Sequence, residues 1–132
     1  MRTPRRHNAT AALMFGLSTL SLFAETPKQP NHNGNWWRES NSAFHTAFVS
    51  GYKAGAHHVT SKPTPLYNFT AEELSTGLDT FYQDFRNRNI QVDDALPLVG
   101  DQLSGASDTD INAHILKLRA AAAQLNANKV SE

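Results

Sequence analysis

The side chains here that could carry acid–base or metal chemistry are six histidines and twelve carboxylates in a chain of 132 residues. His57 and His58 are adjacent, so on a helix they point about 100° apart and cannot easily share a metal. No H-x-x-x-H or H-E-x-x-H pattern occurs, and there is no cysteine to supply a thiolate ligand or nucleophile. At a helix C-terminus the two histidines complement the dipole instead. His45 lies beside an aromatic face, where a partly buried, hydrogen-bonded ring is expected. His114 follows Asp110 by four residues, the spacing of a helix-surface pair.

The carboxylates read in the same way. Asp93 and Asp94 are placed to cap a helix, and Asp84 and Arg88 to pair at i, i+4 on its surface. Asp79 and Asp84 do not share a helical face. No G-x-S-x-G elbow and no glycine-rich phosphate loop is present. No catalytic residue, metal or cofactor is therefore assigned. Trp36 and Trp37, with Tyr52, Tyr67 and Tyr82, could form an aromatic platform; the simpler expectation is that one tryptophan seals the core and the other is half exposed. Arg86–Asn89 is the densest polar segment. Arginine and aromatic side chains are common interface anchors, so Trp36, Trp37, Arg86, Asn87 and Arg88 form the candidate interaction surface.

The elements that must position these residues read as four helices. Ser40 or Ser42 caps the first, which runs to about Val59. Its larger apolar residues Phe44, Phe48, Tyr52 and Val59 fall near one face. Along a second row, Ala43, Ala47, Gly51 and Gly55 recur every four residues. This smooth ridge is expected to pack another helix of the same chain, or of a second copy in a homodimer. Thr70 and Glu73 form a capping box for the second helix, with an apolar stripe through Leu74, Leu78, Phe81 and Phe85. Asn87 and Asn89 end it. Asp93 or Asp94 opens the third helix, placing Pro97 at the edge of its first turn, and Gly105 stops it. Ser107 caps the fourth, whose stripe is Ile111, Ile115, Leu118, Ala122 and Leu125. Nothing alternates with period two. The fold class is all-α, a compact bundle of about four helices.

The N-terminus adds an address. Arg2, Arg5 and Arg6 precede an uncharged run from Ala9 to Phe23, with small Ala24 at its end. Residues 1–24 read as a signal peptide for general secretion, residues 25–35 as a flexible linker and residues 36–132 as a single helical domain. The precursor balances 12 Lys+Arg against 12 Asp+Glu; without residues 1–24 the count is 9 against 12, a net charge of −3 on 108 residues. That balance argues against a nucleic-acid partner. Once the signal is cleaved, no stable membrane anchor remains, and the destination is periplasmic or secreted.

The stretches N-G-N-W-W (Asn33–Trp37), F-V-S-G-Y-K-A-G (Phe48–Gly55) and Leu74–Leu96 resemble a group of small exported bacterial helical proteins of unknown function. More distantly, the G-Y-x-x-G helix, the capped second helix and the D-A-L third helix are similar to periplasmic immunity proteins of type VI secretion. That resemblance implies a helical protein that occludes another protein without turnover, with Gly51, Tyr52 and Gly55 as packing positions. Two alternatives remain open. One is a small hydrolase using His45, Asp79 or Asp84 in an interhelical cleft, and the other a ligand carrier with a cavity around Trp36, Trp37 and Tyr52.

Overall fold

The computed structural model describes residues 31–59 and 64–130. The expected signal segment 1–24 and the first part of the linker lie outside them. Among the described residues the chain is all-α. Its helices are α1 (Gly34–Glu39), α2 (Ser42–Val59), α3 (Ala71–Phe81), α4 (Val92–Leu103) and α5 (Asp108–Val130). Short 3₁₀ turns lie at Pro65–Asn68 and Phe85–Asn87.

The additional helix, α1, arises because Asn33 caps it: its side-chain oxygen accepts from the backbone N–H groups of Asn35 and Trp36, at 3.1 and 3.2 Å. The linker reading is thereby corrected over its last residues. The carbonyl of His32 accepts from Val92 N at 2.8 Å, Asn33 bridges to Gln91, and Asn33 and Gly34 are buried.

Asn41, rather than Ser40 or Ser42, starts α2, its side chain accepting from Phe44 N at 2.9 Å. The buried side of α2 is carried by His45 and Val49, with Phe48 and Tyr52 half-buried. The ridge lies opposite. Ala43, Ala47, Gly51 and Gly55 are all exposed, and a Cβ added at either glycine would meet nothing within 4 Å. The expectation of packing within the chain is corrected, because the inward face is already taken by His45 and Val49. Gly51→Ala and Gly55→Ala are each expected to stabilise the fold by about 0.4–1 kcal/mol, since they restrict the unfolded chain without new contacts. A rise in the urea midpoint would show this; an unchanged or lower midpoint would mean that the glycines are required.

The capping box of α3 forms in both directions, Thr70 Oγ1 accepting from Glu73 N and Glu73 Oε2 from Thr70 N. Leu74, Leu78 and Phe81 are buried, but Phe85 is 71% exposed. The stripe breaks because α3 stops at Phe81, where the Asn87 side chain reaches back and donates to the Phe81 carbonyl at 2.8 Å. The asparagine ends the helix by capping rather than by a left-handed backbone. Among the described residues only Gly105 has positive φ, at 85°, and it follows α4.

Helix α4 begins at Val92 with Gln91 before it, so Asp93 and Asp94 occupy its first turn instead of capping it. Pro97 is therefore in the second turn, where its missing N–H leaves the Asp93 carbonyl without a helical donor. Tyr52 of α2 supplies one, its hydroxyl donating to Asp93 O at 3.4 Å.

Helix α3 packs on α2 on one side and on α4 on the other, while α4 also carries the Pro65–Asn68 turn and α5. Trp37, Leu74, Leu78, Tyr82, Ile90 and Leu96 are fully enclosed between these elements. Ser107 caps α5 by accepting from Asp110 N at 3.2 Å. The α5 stripe is buried at Ile111 and Ala122 but exposed at Leu125.

Candidate functional site

Helices α1, α2 and α3 meet at a polar knot. The indole N–H of Trp37 donates to Asp79 Oδ1 at 2.7 Å. His45 stacks on the same indole, with ring centroids 3.9 Å apart and planes inclined by 14°. Its Nε2 donates to the Trp37 carbonyl at 2.7 Å. Its Nδ1 stands 3.2 Å from Asp79 Oδ1, within ion-pair distance but off the direction of a hydrogen bond. His45 and Asp79 also line a groove of about 350 Å³ between α2 and α3, with Glu72, Ser75 and Thr76. Nε2 is committed to a carbonyl, and Nδ1, although it has no hydrogen-bond partner, is buried against the Asp79 carboxylate and shut off from solvent. The knot holds three helices together.

A second groove, of about 480 Å³, runs along the other side of α3 against α4. Gly77, Val99 and Leu103 form its apolar part, and Glu72 and Glu73 stand at its edge. Gly77 sets the close approach of the helices: a Cβ there would lie 2.4 Å from Val99 Cγ1. Glu73 is held below the usual carboxylate range, chiefly by the backbone bond from Thr70 and then by its hydroxyl.

Of the two tryptophans, Trp37 is enclosed and Trp36 half exposed. Trp36 opens an aromatic ledge, with ring centroids 4.3 Å from His32, 5.4 Å from Phe44 and 5.2 Å from Phe48. This ledge borders the open row of α2. Tyr52 lines a different cavity, with Tyr67, Leu66 and Pro97 and without either tryptophan. The three residues of the carrier reading therefore do not converge.

The rest of the candidate interaction surface is mostly taken up internally. Asn87 is buried and accepts from Arg119 Nε at 2.8 Å. Arg88 is half-buried, and its carbonyl receives Asn35 N. Arg86 is exposed but bound to Asp84 through Nε and Nη2. Trp37 and Asn87 are thus corrected from surface to interior. The expected Asp84–Arg88 pair is replaced by Asp84–Arg86 and Asp84–Arg119, because α3 ends before Asp84 and helical spacing no longer applies. Arg119 thereby latches α5 to the Phe85–Asn87 turn.

Arg86 bonds hold the Asp84 carboxyl well below the usual range, with the charges of Arg86 and Arg119 adding to the effect. A depressed native pKa means that this contribution is complete above the ordinary carboxylate value of about 4 and is lost as pH falls through the lower native value. The protection of α5 amides relative to their intrinsic exchange rates is expected to fall on acidification below about pH 4, and Asp84→Asn to show that lower protection already at neutral pH. Equal exchange in both proteins across the titration would disprove the latch.

Sequence reading missed the knot, whose members are 8 and 42 residues apart. It also missed the α3/α4 groove, although Gly77 inside an apolar helix stripe was a signal, since glycine there costs about 1 kcal/mol unless close packing requires it. Among the described residues, no group of three or more His, Asp or Glu is placed to hold a metal, and no helix is long and apolar enough to cross a membrane. No protein-family model, curated protein or solved structure matches this chain.

Proposed function

We propose that this chain is an exported, non-catalytic helical protein that acts by binding another protein, in the manner of the immunity proteins it resembles. The signal-like N-terminus supports a site of action in the periplasm or outside the cell. The observation that carries the binding reading is the outer face of α2. Ala43, Phe44, Ala47, Gly51 and Gly55 are exposed and uncharged, beside half-buried Trp36 and Phe48. A solvated helix face ordinarily carries charge, and an apolar patch left open on a small protein marks an interaction surface. The occupant that matches such a face is an uncharged helix of the partner.

Capture from the exported fraction is expected to return one stoichiometric partner with the wild type and none with Ala47→Glu. Absence of any stoichiometric partner would overturn the reading, and a wild-type dimer that Ala47→Glu dissociates would replace the foreign partner with a second copy.

The hydrolase reading keeps one favourable observation, that His45 and Asp79 share a groove. An esterase or peptidase activity abolished by Asp79→Asn in a folded protein would support it. The bond from Nε2 to a carbonyl and the burial of Nδ1 weigh against it.

A further inference from the structure

We propose that the α3/α4 groove seats a large apolar side chain of a partner segment that carries lysine or arginine beside that anchor. The inference rests on the protein-binding reading but concerns a different face, and it is carried by shape and charge. The groove, about 480 Å³, has room for an aromatic or branched side chain. Its apolar part ends at Leu103, which is 44% exposed and would be covered by an inserted anchor. No lysine or arginine lines it, whereas Glu72 and Glu73 do.

The charge continues across α3. Glu72 and Thr76 line the α2/α3 groove as well, where Asp79 lies. The Trp37 hydrogen bond and the close His45 contact both fall on Oδ1 of Asp79, and its side chain is 49% exposed, so Oδ2 can receive a cation. A basic residue beside the anchor therefore meets Glu72, and one passing over the helix meets Asp79. Such a segment gains apolar burial in the groove and opposite charge on its edge, which together set its orientation.

The probe is a short synthetic peptide with one phenylalanine between paired lysines, added to the protein as the cell produces it. It is expected to shift the methyl resonances of Val99 and Leu103. A peptide with alanine for the phenylalanine, or glutamates for the lysines, is expected to bind at least about tenfold more weakly. Glu72→Lys should weaken the lysine peptide by about two- to fivefold, as expected for an exposed charge pair. Leu103→Glu should abolish binding while retaining the helical circular dichroism of the wild type. If that variant fails to fold, Thr76→Trp, which fills the groove from an exposed position, should block the peptide in its place.

Unmoved Val99 and Leu103 methyls, equal binding of the glutamate peptide, or full binding by a folded Leu103→Glu would each overturn the proposal. Capture of the natural partner separates the two readings. A partner retained by Leu103→Glu removes the groove and leaves protein binding in place, whereas no partner for either form removes protein binding itself.

Discussion

Trp37→Ala is expected to cost about 3–5 kcal/mol, the range for deleting a buried large aromatic side chain. Trp37 is fully enclosed, so truncation opens a cavity at the junction of α1, α2 and α3. It also removes the surface on which His45 stacks and the donor bonded to Asp79. The His45 Nε2 bond to the backbone carbonyl of residue 37 survives, but the ring loses the neighbour that holds its plane. Domains of this size have only about 5–15 kcal/mol of stability, so one substitution removes a large share. Urea unfolding followed by circular dichroism would read the loss as a lower midpoint. Trp37→Phe should lose less, since it keeps a ring under His45 and gives up only the indole N–H and part of the volume. A Trp37→Phe midpoint equal to that of the wild type would show that the knot contributes little beyond the packing of one ring.

Gly34→Ala should be nearly as damaging, despite adding one methyl group at the edge of the fold. The new Cβ would stand 2.2 Å from Tyr82 Cδ1, 2.5 Å from Tyr82 Cε1 and 2.9 Å from Arg88 Cα. Two of these atoms belong to a ring that is wholly buried and tied through its hydroxyl to the Ile90 carbonyl at 3.1 Å. The third is backbone and cannot rotate away. Overpacking of a closed site costs about 1–3 kcal/mol, and more where neighbours cannot move, so a loss of about 3 kcal/mol is expected. The same substitution at Gly51 or Gly55 should stabilise. The contrast tests the structure directly, because all three changes are chemically identical. A Gly34→Ala protein with an unchanged urea midpoint would show that α1 does not dock on Tyr82 as described.

These sites also show how far the sequence could be read. The Thr70–Glu73 box and the Ser107 cap were legible because they are local, each needing three or four consecutive residues. The side to which α2 turns was not. Its inward face contains a histidine, and counting His45 as polar shifts the apparent apolar stripe toward Phe44 and Phe48. Phe44 is in fact 42% exposed, and the glycine row that looked like a packing ridge faces outward. Periodicity identifies a helix, but a buried polar group can rotate the inferred face.

The same limit hid the candidate sites. The Trp37–His45–Asp79 knot depends on three helices meeting, and nothing in any one segment announces its partners. Asp84 was expected to pair with Arg88 by helical spacing, yet the chain leaves the helix at Phe81 and the carboxylate meets Arg86 and Arg119. The capping asparagine that ends α3 is six residues beyond Phe81, outside the short windows in which helix ends are usually read.

The stitching of the first helix to the middle of the chain has a consequence for timing. Gly34 rests on Tyr82, Trp37 bonds Asp79, and His32 receives the Val92 N–H. A polypeptide emerging N-terminus first therefore presents Trp36 and Trp37 long before their resting place exists. Until residue 92 is available the core cannot close, and most of the chain must stay open. The segment made first is therefore among the last to be locked, and the chain stays open until most of it has been made.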